Sequence, residues 1–318
     1  MSQAAARIFI RCRCFFNMGG NILLLKSVRE KWPGLDTFQI KVIACLCMTI
    51  DHIGAYMSND FIMKYDGLLR IIGRIAAPLF LFILVQSIRY TRDRLNLLKR
   101  LYLAGALVGL SDTAFNLLLG ERAGIHFFGN IIFTYFYVAF YAILIEKVIL
   151  AIKGKKVYEC LKLVALGTIS LLTCVVYRII DWIVPNGIPI QQRLLFQGVR
   201  DSLLPAVDHL EYGIGFVILG VILYFAKKKT WQCLVYFMFC IICICGNAVA
   251  IINPDIYDIY ASSSFAWLYF DGLQHYMILA LPVMMMYNQR KGRDVKAFFY
   301  WYYPVHRFFI IIVSAIIA

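Results

Sequence analysis

The sequence predicts an all-α protein, a polytopic membrane helix bundle of about nine transmembrane helices. Three observations support this: 62% of the 318 residues are hydrophobic, 16% are charged, and apolar stretches recur at lengths that can cross a bilayer. A hydrocarbon core of about 30 Å needs roughly 20 helical residues. Soluble domains are less apolar and more highly charged, so a cytosolic enzyme, a disordered chain and a secreted disulfide scaffold are excluded.

The predicted spans follow one another with turn-forming breakers between them, such as Asn253-Pro254-Asp255. The loop at roughly 185–205 is expected to hold a short interfacial helix. Residues 1–34 are expected to form a basic cytoplasmic tail without a cleavable signal peptide, and residues 35–318 one transmembrane domain. The nine spans lie near 38–57, 67–88, 101–119, 129–151, 160–184, 206–226, 231–252, 265–287 and 298–317.

The distribution of positive residues predicts the topology. Twenty-three Lys and Arg residues fall in the tail and alternate loops, whereas four fall on the opposite side. Cytoplasmic loops carry this kind of excess, so we expect the N-terminus inside and, after nine spans, the C-terminus outside. The same loops account for the net charge of +14, and no nucleic acid partner is expected. The ten cysteines lack the spacing of converging ligands, so no metal site is expected.

Polar residues inside the spans mark a candidate site. A charged side chain at membrane depth costs at least about 2.5–3.5 kcal/mol and usually faces the bundle interior. Six consecutive predicted helices carry such residues in their outer halves, which predicts a polar cavity facing the extracytoplasmic side. Interhelical hydrogen bonds that only hold the bundle together are the alternative. Five pairs have the i,i+4 spacing of one helix face: Arg70/Arg74, Asp112/Asn116, Asn130/Thr134, Asp208/Tyr212 and Asp271/His275.

Asp51 and His52 form the most specific of these sites. A neutral imidazole accepts a proton near neutral pH, and a nearby carboxylate fixes its tautomer. Adjacent helical positions point in different directions, so Asp51 can instead pair with Arg70 or Arg74, which leaves His52 a bystander. In the last helix, Pro304 is expected to kink the chain beside His306 and open a path towards the cavity; the alternative is a kink among packed aromatic rings.

Five segments resemble the TraX family in sequence, order and spacing, and the resemblance covers Leu35 to the C-terminus. TraX proteins are implicated in N-acetylation of F-type conjugative pilin. They look related to the transmembrane acyltransferases, which include the lysosomal heparan-glucosaminide acetyltransferase and surface-glycan O-acyltransferases. The segments are Met48–Gly54 (MTIDHIG), Leu69–Phe80 (LRIIGRIAAPLF), Gly129–Thr134 (GNIIFT), Glu211–Gly215 (EYGIG) and Phe298–His306 (FFYWYYPVH).

Two positions depart from the family pattern. Ala77 stands where a phenylalanine is expected, which opens space beside Arg74, and Arg307 stands where the family often has an apolar residue. Both departures leave the acceptor open, because the shape of the pocket selects it.

The resemblance implies a membrane enzyme that moves an acetyl group from cytoplasmic acetyl-CoA to an extracytoplasmic amine or hydroxyl, on a pilin-like peptide N-terminus or a surface glycan. His52 then deprotonates the acceptor or carries the acetyl group itself, and Asp51 orients it or anchors an arginine. Arg70, Arg74 and Asn130 stabilise the oxyanion or hold an anionic part of the acceptor. The other expected binding residues are Thr134, Asp208, Tyr212, His275, His306 and Arg307.

The expected partners are therefore membrane lipids, acetyl-CoA and the acceptor, in a bacterial plasma (inner) membrane. The basic inner loops are expected to bind the phosphates of coenzyme A. The alternative function is a transporter or flippase for a polar solute, which uses the same cavity for passage. Such folds often show repeated halves and broken helices, whereas this sequence shows one Pro-kinked helix and no corresponding partner.

Overall fold

The computed structural model describes residues 34–57, 60–121, 124–127, 129–183, 187–253, 273–293 and 295–317. The regular elements within these ranges are helices, which confirms the all-α prediction. They are α1 Thr37–Tyr56, α2 Asp60–Gly73, α3 Ala76–Tyr90, α4 Arg94–Phe115, α5 Ile131–Lys153, α6 Val157–Ile183, α7 Ile190–Leu203, α8 Gly213–Phe225, α9 Lys229–Ile252, α10 Leu281–Met285 and α11 Lys296–Ile317.

The chain is a multi-pass membrane helix bundle. Six helical stretches of the described residues are long and apolar enough to cross a bilayer, and they match six of the predicted spans. The remaining predicted spans were 206–226, 265–287 and 298–317, so the count of nine and the orientation of the termini stay predictions. The six stretches are Thr37–Tyr56, Ile62–Tyr90, Arg94–Gly120, Ile131–Lys153, Val157–Ile183 and Lys229–Val249.

Two predicted spans differ from the structure. The span at 206–226 starts with a 3₁₀ turn, Val207–His209, and becomes α-helical only at Gly213. Gly213 has a φ of 64°, outside the right-handed helical region, so the residues before it cannot extend α8. In the span at 265–287 the described part is a 3₁₀ helix, Gln274–Ala280, followed by α10. Asp271 lies outside the described residues.

The span predicted at 67–88 is divided into α2 and α3. Pro78 has no N–H to donate to the carbonyl of Arg74, four residues earlier, and its ring crowds that carbonyl. The backbone tightens there: the Ile75 N–H donates to the Ile72 carbonyl at 3.2 Å, a 3₁₀ contact. Helix α2 therefore ends at Gly73, and the break lies beside Arg74.

The core lies around α3 and α5. Helix α3 is buried along most of its length and packs against α1, α5 and α8. Helix α6 is peripheral, and Tyr177 is its one buried residue among those described. Helix α7 confirms the helix expected in the 185–205 loop and packs closely on α4, because Gly198 lies against Thr113. Small residues allow this close approach of helices in a bilayer.

The start of α1 is tied by backbone hydrogen bonds to the segment that precedes α11. The Leu35 N–H donates to the Met286 carbonyl at 2.8 Å, and the Asn288 N–H donates to the Leu35 carbonyl at 2.9 Å. The Thr37 N–H donates to the Arg290 carbonyl at 2.9 Å. These bonds hold the start of α1 against the segment between α10 and α11, at the end of the bundle where α1 begins.

Candidate active site

Helices α1 and α11 bring two histidines together. His52 Nδ1 lies 2.7 Å from His306 Nε2, and the two rings are nearly parallel with centroids 4.8 Å apart. The Tyr302 ring lies nearly parallel to the His306 ring, with centroids 5.0 Å apart. The Tyr302 hydroxyl lies 2.5 Å from Thr49 on α1, which fixes α11 against α1 one turn before His52.

The hydrogen bonds of this stack define the tautomers of both histidines. His306 Nδ1 lies 2.6 Å from the Tyr302 carbonyl, which can only accept, so His306 carries its proton on Nδ1. Nε2 of a neutral His306 is then an acceptor, and His52 Nδ1 donates to it. The Nε2 atom of His52 is left with a lone pair. His306 thus orients His52 for proton transfer or nucleophilic attack at Nε2.

Asp51 pairs with the arginines of α2, as one of the sequence interpretations held. Arg70 Nη1 lies 2.9 Å from Asp51 Oδ2, and Arg74 Nη2 lies 3.8 Å from Oδ1. Gly73 permits this arrangement, because a Cβ atom there would overlap the Asp51 carboxylate. The carboxylate is therefore an anchor for Arg70 and Arg74, while His306 orients His52.

A second buried ion pair joins α11 to α4. Arg307 Nη1 lies 3.0 Å from Asp112 Oδ2, with side-chain exposures of 3% and 10%. The guanidinium also lies 3.9 Å from the centre of the Phe127 ring, a cation–π contact. Asn116 holds Phe127 in place by two hydrogen bonds to its backbone, at 2.8 and 2.9 Å. Both polar residues that follow Pro304, His306 and Arg307, thus have defined partners on other helices.

A cavity of about 610 Å³ connects His52 with the end of the bundle where α1 begins. Asp51, His52 and Glu211 line its deep end, and Lys41, Arg100 and Lys291 line its outer part. The sequence predicted a cavity facing the extracytoplasmic side. This cavity extends towards the end that carries the loop cations. A second, smaller cavity of about 160 Å³ is lined by predicted polar residues of the outer helix halves, among them Asp112, Asn116 and Asn130.

The other predicted site residues lie apart from the histidines or have structural partners. Asn130 caps α5 through the Ile132 N–H and donates to the Gly105 carbonyl at 2.7 Å. Thr134 is fully buried in the core. Asp208 pairs with Arg178 at 3.2 Å, and His275 lies 3.4 Å from Asn247. Tyr212 lines the large cavity, although Asp208 and Tyr212 lie in a loop and do not share a helix face.

Glu211 is the residue that sequence reasoning counted as polar but did not select. It lines the deep end of the cavity, and its Oε2 atom is buried without a hydrogen-bond partner among the described residues. The signal for it was its position in the EYGIG segment, next to the selected Tyr212. Arg100 and Lys291 were assigned only as loop cations and Lys41 as a residue near the end of a span, since their convergence on one cavity depends on tertiary structure.

Residues 37–183 match the family model described as TraX protein. This segment belongs to the TraX family. It includes Asp51, His52, Arg70, Arg74, Asn130 and Thr134, so the helices that form one side of the histidine site lie within the TraX match. His306, Arg307 and Glu211 lie beyond it.

One similar protein has a name that refers to the assembly of fimbriae. The chain is 32% identical over 105 residues to the probable fimbrial assembly protein FimC, serogroup H1, of Dichelobacter nodosus. The alignment covers 31% of this chain and 42% of that protein, so the chain spans less than half the length of this relative. No solved structure matches the chain.

Proposed function

We propose that this protein is a membrane-embedded acetyltransferase that uses acetyl-CoA to acetylate an amine or hydroxyl on a pilin-like peptide N-terminus or a surface glycan. The observation that carries the proposal is the single cavity that joins a basic outer part to an oriented histidine at its deep end. The TraX match and the fimbrial assembly relative support an acceptor connected with surface fibres.

The outer part of the cavity has the charge that coenzyme A requires. Lys41, Arg100 and Lys291 line it, and cationic side chains bind phosphate oxygens through charge-assisted hydrogen bonds. His52 lies 11 residues beyond Lys41 on α1, which is about 17 Å at 1.5 Å per residue. A donor whose nucleotide stays among the cations therefore reaches His52 with its extended thioester arm.

His52 is the proposed reactive group. Its Nε2 lone pair takes a proton from the acceptor as that group attacks the thioester, or attacks the thioester itself to form an acetyl-histidine. His306 positions His52 by accepting its Nδ1 proton. The developing oxyanion needs a donor, and Arg74 has an Nε atom without a hydrogen-bond partner in the described chain.

The proposed topology follows the positive loops, with the basic end of the cavity in the cytoplasm and nine spans in a bacterial inner membrane. Acetyl-CoA then enters from the cytoplasm. The acceptor approaches the histidines from the opposite side, where the Arg307–Asp112 pair and Phe127 lie.

Binding and hydrolysis of radiolabelled acetyl-CoA test this proposal. Purified wild type, His52→Ala and the control His209→Ala are compared, because His209 packs on Tyr177 outside the large cavity. We expect saturable binding by all three and a loss of acetyl release of about 10²–10⁴-fold in His52→Ala alone, the usual contribution of general acid–base catalysis. Absence of binding by folded wild type would contradict the proposal and favour transport, in which His52→Gln keeps activity with altered affinity.

A further inference from the structure

Glu211 is a second polar group in the same reaction space as His52. It lies in the loop before α8 and lines the deep end of the large cavity together with Asp51 and His52. The other two carboxylates near the histidines have arginine partners: Asp51 pairs with Arg70, and Asp112 pairs with Arg307. Glu211 has no such ion pair among the described residues, and its Oε2 atom is buried there without a hydrogen-bond partner.

The backbone around Glu211 is shaped to hold its side chain. Gly129 has a φ of 84°, a conformation that favours glycine, and a Cβ atom at this position would lie 3.1 Å from Cγ of Glu211. The charges facing the carboxylate are those of Arg307, Arg74 and Asp51, so it belongs to the same buried charge cluster as His52. The titratable groups that also face it are the hydroxyls of Tyr56, Tyr135, Tyr212 and Tyr303. A carboxylate held this way in a cavity is available to a ligand.

We propose that Glu211 is a second proton acceptor of the acetyl transfer, which binds the protonated amine of the acceptor and removes its first proton. This role rests on the acetyltransferase function proposed above. An ammonium group has no lone pair and cannot attack a thioester, so it must lose a proton before the bond to carbon forms. Two bases in one cavity match the two protons that such an acceptor loses.

The proton balance assigns one proton to each base. The ammonium R–NH₃⁺ gives one proton to the Glu211 carboxylate, and the neutral amine then forms its bond to the thioester carbon. As the carbon–sulfur bond breaks, His52 Nε2 takes the second amine proton and passes it to the departing coenzyme A thiolate. The products are the N-acetylated acceptor and the free thiol, and Glu211 returns its proton to water.

The pH dependence of transfer to a peptide amine tests this role. The acceptor is a short peptide whose α-amino group has a pKa of about 8, so roughly 3% of it is neutral at pH 6.5 and 90% at pH 9. We expect Glu211→Gln to transfer acetyl about thirtyfold more slowly than wild type at pH 6.5, with most of this deficit recovered at pH 9. Glu159→Gln, an exposed carboxylate change on α6, is the matched control and should follow wild type at both values.

The outcomes separate this role from the proposed function. A deficit that is equal at pH 6.5 and pH 9, or no deficit at either, overturns the role of Glu211 while wild type remains an acetyltransferase. Wild type that neither binds acetyl-CoA nor acetylates the peptide overturns both proposals. If Glu211→Gln does not bind acetyl-CoA, Glu211→Asp decides, because its retracted carboxylate should give a smaller deficit at pH 6.5 that again disappears at pH 9.

Discussion

Two regions of the described bundle each combine several arginine–aspartate pairs, and one of them surrounds the histidines. The central cluster, Asp51, Arg70, Arg74, Asp112 and Arg307, joins α1, α2, α4 and α11. The peripheral cluster joins α6, α7 and the loop before α8, and consists of Arg178, Asp181, Arg200, Asp201 and Asp208. Both clusters contain arginine–aspartate pairs of the kind that sequence patterns select.

The clusters differ in exposure and in what they adjoin. The Arg307 and Asp112 side chains are 3% and 10% exposed, whereas Arg178 is 73% exposed. Arg200 is buried over the Tyr177 ring, but both of its acidic partners are about half exposed. Intramembrane charge alone therefore does not identify a site. Burial of both partners in the Arg307–Asp112 pair, and the contact of Asp51 with the large cavity that contains His52, separate the central cluster from the peripheral one.

Gly73→Ala should break the central cluster with the largest effect. The added methyl group overlaps the Asp51 carboxylate, so Asp51 and the arginines it anchors must move. We expect acetyl transfer to fall by at least about 100-fold, the usual effect of misplacing a reacting group by about 1 Å. Turnover is measured beside Gly67→Ala in the same helix, where an added Cβ meets no atom within 4 Å. Equal activity of both variants would contradict a catalytic role for this cluster.

Replacing one arginine in each cluster by methionine compares their contributions to stability. Arg307→Met leaves the Asp112 carboxylate buried without its partner, which we expect to lower the free energy of unfolding by about 3–5 kcal/mol. Arg178→Met removes an exposed partner and should change it by about 0–1 kcal/mol. Denaturant titration of the detergent-solubilised protein measures both. Similar losses in the two variants would show that burial does not distinguish the clusters.

His306→Gln should separate orientation from chemistry at His52. Glutamine lacks the ring that packs parallel to Tyr302. It also lacks the imidazole Nε2 atom that accepts the Nδ1 proton of His52. Groups that orient a functional imidazole contribute about 10–100-fold, so we expect a fall in kcat of that size with little change in KM for acetyl-CoA. A loss as large as that of His52→Ala would instead make His306 the reactive group.

Asn130→Ala should give the smallest effect and should act on stability. The change removes the N-cap of α5 and a hydrogen bond to the Gly105 carbonyl, and cap removal costs about 0.5–2 kcal/mol. We expect a lower melting temperature and a kcat within about twofold of wild type. Thermal unfolding and turnover are measured on the same preparation. A large fall in kcat without a change in melting temperature would return Asn130 to the catalytic residues.

The sequence predicted the elements of the site better than their assembly. The i,i+4 spacing of Arg70 and Arg74 correctly indicated that both face one partner, even though α2 ends between them at Gly73. Asn130 and Thr134 have the same spacing for a different reason: Asn130 caps the start of α5, and Thr134 is buried in the core. For Asp208 and Tyr212 it was misleading, because the positive φ of Gly213 keeps that segment out of α8.

The contact between His52 and His306 could not be predicted from helical periodicity. The two residues are 254 positions apart, and periodicity reports only on neighbours along one helix. The large cavity could not be predicted from periodicity either, since its basic part combines residues of α1, α4 and the segment before α11. Glu211 was within reach of sequence reasoning, but its exposure to the cavity depends on the loop that carries it.

The contact between His52 on α1 and His306 on α11 sets an order of events during biosynthesis. At about 5–20 residues per second, the ribosome needs roughly 13–50 s to add the 254 residues that separate His52 from His306. Helix α1 spends that interval in the bilayer without its final neighbour. The histidine pair can therefore form only after α11 is inserted, so nascent chains that end before it carry no assembled centre.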